Sequence, residues 1–387
     1  MFGNCSARPK VLILHAYSPT NLGDKLLIDL AMDQVRLALG ECEFRTVCSD
    51  ASGFNNSDYV QWRSGVDDFV PFANRRVRMM LTTFFGAHAT IEQLAERADL
   101  IVAVGGGYLR GGHLAESIKS AGAHLGQMRL ARRYGHKMLY LPQSIGPFRG
   151  LYLRVIRQLL SQVRYVFVRD DRSMQELIGL PNVYRMPDLA VLELAQSTEV
   201  LPEAVEELSN SDSPHNRPVL VVRDLRKPRN YYRFLEEAKG SASFEWAIQA
   251  SGGGNNDVPI TQKYASSQPR MMPEILEDPT RRVVVSTRLH GALSSLIAGF
   301  PAIHLSYERK GWGAFEDLGL DSFVLNARDA ALRDVQLLIA ELTEDQAGYW
   351  KRIDESRLNI ASMQERLTQS IRTTVDSSDS PSSVASK

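Results

Sequence analysis

The apolar residues of this chain fall into short continuous runs separated by stretches with helical spacing. VLILH, Val11 to His15, reads as a buried strand, and GDKLLIDLAMDQVRLAL as a helix with Leu26, Leu27, Leu30, Val35 and Leu37 toward its inner face. FRTVCS, LIVAVG, KMLYLPQ and YVFVRD follow as strands, and Leu114 to Tyr134 and Leu151 to Val163 as helices between them. Short apolar strands alternating with amphipathic helices build a parallel sheet with crossover connections. The first half is therefore expected to be a doubly wound α/β domain, whose ligands sit beyond the carboxyl ends of its strands.

A second series starts at PVLVVRDL, continues through RRVVVSTRLH and includes AIHLSY, which predicts another, smaller α/β domain. Between the two, AQSTEVLPEAVEELSNSDSPHNRP is acidic and rich in Ser, Asn and Pro, the composition of a linker. ASGGGNNDVP is expected as a mobile surface loop, and Leu325 to Thr374 has room for two helices. These readings divide the chain into an N-terminal Rossmann-like domain at 1–200, a C-terminal one at 215–345, a C-terminal helix at 346–374 and a disordered tail at 375–387. No repeat of solenoid period interrupts the pattern.

Composition narrows the function classes. A length of 387 residues suits two domains better than one. The 45 basic and 45 acidic residues cancel, which removes the long-range field with which a general nucleic-acid binder collects phosphate backbone. Cys5, Cys42 and Cys48 have neither a C-x-x-C spacing nor an even count, and read as free thiols of a reducing compartment. The apolar run Val11 to Leu14 is too brief for a signal peptide, and no later run reaches a spanning length. The expected location is the cytoplasm, with peripheral contact at the inner face of the membrane left open.

The candidate chemistry lies at strand ends. After the first strand, HAYSPTNLGD places Asn21, Gly23 and Asp24 at the start of a helix, where Asp24 alternatively serves as a cap. LIVAVG leads into Gly105, Gly106 and Gly107, which let the backbone approach a ligand and aim amides at an anion. The spacing is neither a dinucleotide fingerprint nor a P-loop. LPQSIGPF sets Gln143 and Ser144 just past a strand, and VRDDRSMQEL sets Arg169 at the end of the next. Four strand ends of one sheet then carry such groups on one edge.

STRLHGALSSLIAGFPAIHL repeats the arrangement in the second half, with Arg288 and His290 in the first turn of a helix. Cations there oppose the helix dipole at a cost of a few tenths to about 1 kcal/mol unless an anion is near. The alternative is a structural one, a carbonyl satisfying His290 and a carboxylate satisfying Arg288. Lys310 follows the next strand, in LSYERKGWG. With Arg169 across an interdomain cleft, these cations and His290 would surround a small, highly anionic substrate.

Taken together, NLGD (Asn21 to Asp24), GGGYL (Gly105 to Leu109), PQSIGPF (Pro142 to Phe148), VRDDRS (Val168 to Ser173), PDLAVL (Pro187 to Leu192) and STRLHGALSSLIAGFPAIHLSYERK resemble the polysaccharide pyruvyl transferase family, in order, over roughly Val11 to Leu320. The resemblance implies two Rossmann-like domains facing a cleft, a GT-B-like α/β fold with C-terminal helices. It implies transfer of pyruvate from phosphoenolpyruvate to two hydroxyls of a saccharide, free, polymeric or lipid-linked, forming a cyclic ketal and releasing phosphate. No metal and no cofactor are implied, phosphoenolpyruvate being a substrate, and no nucleic acid is expected as a partner. His290 falls on the family's catalytic acid, and Arg169, Arg288 and Lys310 on ligands of phosphoenolpyruvate, with Gly106 and Gly107. YERK stands where an aspartate–proline pair before the lysine is common. Asn21, Asp24, Gln143 and Asp188 are assigned to the acceptor, Asp24 and Asp188 being also the candidates for the base.

The competing reading is a nucleotide-sugar glycosyltransferase, supported by Glu308 and Glu316, seven residues lying between them as in a donor-binding glutamate pair. A non-catalytic sugar-binding protein is a third reading. Tyr17, Tyr108, Trp312 and Phe315 are the aromatic candidates for stacking a sugar ring.

Overall fold

The structure is a computed structural model and describes residues 8–49, 51, 58–61, 88–196, 217–225, 228–241, 243–252 and 256–378. The chain forms two compact units, one of Met1–Pro19, Leu27–Met186 and Gln364–Lys387, the other of Thr20–Leu26 and Pro187–Met363. The division is not the contiguous one expected: the helices Leu22–Leu39 and Gln346–Ser378 each supply residues to both units. The last helix also carries Val375 to Ser378, where a disordered tail is expected. The expected linker falls almost wholly outside the described residues, as does Cys5.

The first unit is a seven-stranded sheet in the order β3-β2-β1-β4-β6-β8-β9. Its strands are β1 (Lys10–Ala16), β2 (Glu43–Cys48), β3 (Tyr59–Gln61), β4 (Leu100–Ala103), β6 (Met138–Gln143), β8 (Tyr165–Val168) and β9 (Val183–Arg185). Every pairing is parallel, and the direction of winding reverses between β1 and β4, the switch point where open α/β sheets hold ligands. β5 (Leu109–Gly111) and β7 (Ile145–Phe148) form a separate parallel pair. The near-continuous apolar strands are covered on both faces, and Leu12, Leu14, Ile101, Tyr140 and Val166 sit in one buried cluster.

The second unit is a six-stranded parallel sheet, β12-β11-β10-β13-β14-β15, of β10 (Val219–Val221), β11 (Glu245–Ile248), β12 (Arg270–Met271), β13 (Val284–Ser286), β14 (Ala302–Ser306) and β15 (Val324–Asn326). A smaller buried cluster joins Val219, Val221, Ala247, Val284 and Phe300. Helices Leu332–Glu344 and Gln346–Ser378 fill the helical C-terminal stretch.

Two local expectations are corrected. Leu37 is 47% exposed, because the buried face of its helix runs through Leu27, Ile28, Leu30, Ala31, Gln34, Val35 and Ala38, and position 37 falls at the edge of that stripe in the last turn of the helix. The helix expected over Leu114 to Tyr134 is broken into Leu114–Ser120, a π turn at Ala121–Leu125, and short turns at Gly126–Met128 and Ala131–Tyr134. The wide turn carries buried His124, whose Nδ1 lies 3.1 Å from Nδ1 of His15. Of ASGGGNNDVP, expected as a mobile loop, residues 253–255 lie outside the described residues; at its ends Ala250 bridges to Asn21, and Asp257 is buried and donates its N–H to the Ala250 carbonyl at 2.8 Å.

Candidate functional site

In the first unit the strand-end residues converge. β8 delivers Arg169 into a buried position, where its Nε donates to Ser144 Oγ at 3.0 Å and its Nη2 to the Gly106 carbonyl. Ser144 Oγ donates in turn to Asp170 Oδ2 at 2.5 Å, and Asp170 Oδ1 caps the next helix by accepting from Ser173 N at 2.9 Å. The backbone of Arg169 donates to the Gln143 carbonyl at 3.2 Å. A Cβ on Gly105 would stand 2.9 Å from Gln143 Oε1, so the glycine lets the amide lie on the backbone. Gln143 Nε2 is buried without a hydrogen-bond partner among the described residues.

A column of rings stands beside that loop. Tyr17, from the loop after β1, stacks on Tyr108, from the loop after β4, at 5.9 Å between centroids, and Tyr108 stacks on His124 at 5.8 Å. His15 holds the base of the column: its Nε2 lies 3.1 Å from Tyr140 Oη, and its N–H donates to Gln127 Oε1 at 2.8 Å. His15 takes φ 65°, a left-handed conformation that costs a non-glycine residue of order 1 kcal/mol. Burial pushes the His124 imidazole down to about 4 and that of His15 well below the usual histidine range, with His124 adding to the latter shift. Both rings are therefore neutral at pH 7.

The second unit holds the other cluster. Arg288 is the N-cap of the helix Leu289–Ile297, one position outside the expected first turn, while His290 lies within that turn. Arg288 is buried and reaches back to Asp257, with Nε 3.0 Å from Oδ2 and Nη2 on Oδ1. The carboxylate alternative drawn from the sequence thus describes Arg288. Burial raises the Asp257 carboxyl above its usual value against the opposing pull of Arg288.

His290 Nε2 lies 3.4 Å from Oδ2 of Asp188, a carboxylate only 1% exposed. Asp188 opens the helix Leu189–Gln196, its Oδ1 accepting from Ala190 N at 3.0 Å. Gly23 lies against the imidazole: a Cβ there would come to 3.0 Å from His290 Cβ and 3.2 Å from Nδ1. Asn21 shapes that turn, its carbonyl accepting from Asp24 N at 3.0 Å and its Nδ2 donating to Asp24 Oδ2 at 2.5 Å. The cap is therefore Asn21, and Asp24 is the acid of the first turn.

Of the remaining candidates, the backbone of Lys310 lies in the first turn of the helix Arg309–Asp317, and its side chain lies outside the described residues. Glu308 is the N-cap of that helix and Glu316 lies near its end. Phe315 is fully buried against His304, which makes it a core residue, whereas Trp312 is exposed. Gly107 follows Gly106 in the loop that receives Arg169. Sequence reasoning missed Asp257 and the His15–His124–Tyr140 network; Asp257 just before Val258-Pro259 had the signature of a helix start. Among the described residues no group of three or more His, Cys, Asp or Glu could hold a metal ion. No described helix is long and apolar enough to cross a membrane.

Solved structures show the fold. A UDP-N-acetylglucosamine 2-epimerase from Rickettsia bellii superposes with a TM-score of 0.51 at 12% identity, over 96% of this chain and 98% of that one. The S. aureus MnaA–UDP structure gives 0.50 at 10% identity, over 96% of this chain and 97% of that one. MurG from Acinetobacter baumannii gives 0.48 at 12% identity, over 94% and 100%. The architecture is thus that of the GT-B proteins, two Rossmann-like units in one chain. No curated protein matches the sequence. The sequence profile of Polysaccharide pyruvyl transferase matches residues 21–257, more than half of the chain, a span that includes Asn21, Gly106, Gln143, Arg169 and Asp188 and stops before Arg288. This chain belongs to the polysaccharide pyruvyl transferase family.

Proposed function

We propose that this enzyme transfers pyruvate from phosphoenolpyruvate to two hydroxyls of a saccharide, in polysaccharide or glycolipid biosynthesis, with no metal or cofactor. The observation that carries the reading is His290, fixed between the buried Asp188 carboxylate and the bare backbone of Gly23. An imidazole so oriented suits proton transfer at a defined atom rather than packing.

The first sugar hydroxyl attacks C2 of the enolpyruvyl group and loses its proton while His290 protonates C3, which becomes the methyl group. The C2–O bond to phosphorus then breaks, phosphate leaves with the bonding pair, and an oxocarbenium-like centre remains. The second hydroxyl closes on C2 and loses its proton, giving the cyclic ketal. Arg169 and Lys310 bind the carboxylate and phosphate and stabilise the charge of the leaving group, with the amides of Gly106 and Gly107. Arg288 joins them by exchanging part of its contact with Asp257 for substrate. Asn21, Asp24 and Gln143 serve the acceptor, the unpaired Nε2 of Gln143 offering a donor to a sugar oxygen. Asp188 orients His290, a role more specific than the acceptor contact assigned from the sequence. The proximity of Asp24 to the Gly23–His290 contact supports it as the base that takes a hydroxyl proton.

The test is phosphate release from phosphoenolpyruvate by the purified protein with free and lipid-linked sugars, wild type beside His290→Ala. Acceptor-dependent release that disappears in the variant is expected. Thermal stabilisation by a nucleotide sugar and none by phosphoenolpyruvate, with no release, overturns the reading in favour of glycosyl transfer.

A further inference from the structure

The parallel pair β5 and β7 sets Gly111 opposite Phe148, and each strand runs directly into a helix, Leu114–Ser120 and Gly150–Leu160. Leu114 and Leu151 stand three residues past those partners, at equivalent points of two parallel strand-to-helix turns. The two helices are tied together by Tyr152 Oη donating to Ser120 Oγ at 3.0 Å. Leu114 is 78% exposed, Leu151 74%, and Ile118, one turn beyond Leu114, 51%. Large apolar side chains gathered at one place on a surface mark an interaction site.

The exposed charge around them is mainly positive, although Glu176 accepts from the N–H of Phe148 at 3.3 Å beside β7. Lys119, Arg149 and Arg154 are exposed on the same two turns. The one acid of either helix, Glu116, is occupied by Arg110 at 3.6 Å and by the N–H of Gly112 at 2.9 Å. In a chain of zero net charge this is a local cationic rim around leucine and isoleucine tips. Apolar tips ringed by Lys and Arg match a layer that is anionic at its surface and hydrocarbon below it.

We infer that Leu114, Ile118 and Leu151, with Lys119, Arg149 and Arg154, dock this protein on the surface of an anionic phospholipid bilayer. The surface is continuous with the loops of the first unit. β5 leaves the Gly105–Gly107 turn and β7 leaves Gln143 and Ser144, so strands about 10–13 Å long, at about 3.3 Å per residue, separate those groups from the docking turns. A saccharide carried on a lipid of that bilayer reaches the Arg169 loop over the length of two short strands, a consequence that rests on the pyruvyl-transfer reading. The docking itself does not, and its test needs no phosphoenolpyruvate.

The experiment is flotation of the full chain with vesicles of equal parts phosphatidylcholine and phosphatidylglycerol, beside pure phosphatidylcholine and with added NaCl. Binding to the anionic vesicles, weaker on neutral ones and reduced by salt, is expected. L114S/I118S/L151S and K119E/R149E/R154E should each lower the partition coefficient by about tenfold or more. Leu151→Ser alone is the guard against misfolding, since its helix is anchored by buried Ile156, Leu159 and Leu160, and should lower it by about fivefold to tenfold with Tm unchanged. Wild type that fails to float, or variants that float as well as wild type, overturns the inference. A change of oligomeric state in the apolar variant without vesicle binding also overturns it and assigns the surface to a contact between copies of the chain.

Discussion

His290 Nε2 and Asp188 Oδ2 stand 3.4 Å apart although 102 positions separate them in the chain, one at the start of the helix after β13 and the other at the start of the helix Leu189–Gln196. A buried carboxylate held by a backbone amide fixes the ring's orientation, as the proposed general acid requires. Asp188→Asn keeps the shape and removes the charge. It should lower kcat by about 10²- to 10⁴-fold with little change in KM for phosphoenolpyruvate, the range general acid catalysis supplies. Steady-state phosphate release checks this, and a normal kcat would reduce Asp188 to a helix cap.

Gly23→Ala places a methyl group 3.0 Å from His290 Cβ, closer than carbon atoms tolerate without movement. The imidazole must turn away from its place, so activity should fall at least tenfold while the stability cost stays near about 1–3 kcal/mol, that of modest overpacking. A thermal melt beside a kcat measurement separates the two effects.

Asp257 and Arg288 form a buried two-pronged pair. Asp257→Asn should destabilise the protein by about 3–5 kcal/mol, because it strands a buried guanidinium. Replacing both residues by apolar ones of similar volume should cost less than the sum of the single changes. Arg288→Lys keeps the charge without the fork and should raise KM for phosphoenolpyruvate by about tenfold or more. Urea unfolding of the two single variants and the double variant, with kinetics of Arg288→Lys, tests the pair in both roles.

His15 and His124 are held neutral by burial, so their folded pKa values lie below the unfolded value of about 6.5. The unfolded chain takes up protons that the folded chain refuses, and stability falls as pH drops below about 6.5, by up to about 1.4 kcal/mol per pH unit for each histidine. For His124 the loss levels off near its folded value of about 4. His124→Gln should flatten the dependence of the urea midpoint between pH 6.5 and 4.5. An unchanged slope would show that other groups control acid stability.

The sequence by itself determined the apolar strands β1, β2, β4, β6, β8, β10, β13 and β14 and several of the helices, because a strand buried on both faces must be a continuous apolar run and an amphipathic helix must repeat every three or four residues, whereas β3, β5, β7, β9, β11, β12 and β15, mostly short, carry too few residues to show a pattern. It also marked the polar strand ends, since Arg169, Gln143, Arg288 and His290 interrupt apolar runs at a cost that packing alone does not justify. The family motifs were legible for the same reason, as groups of unusual residues in a fixed order. The sequence did not contain their partners. Asp257 looks like an ordinary helix start until the fold brings it to Arg288 across 31 positions, and Asp188, assigned from the sequence to the acceptor or the base, becomes the partner of His290 only when the fold closes 102 positions. Gly23 looks like a turn glycine until a ring lies against it, and His15 like a strand residue until Tyr140 and His124 close around it at φ 65°. Periodicity is set by local backbone geometry and is written along the chain. Which carboxylate meets which cation, and which leucines remain outside, is set by contacts between distant segments, and only the tertiary structure decided it.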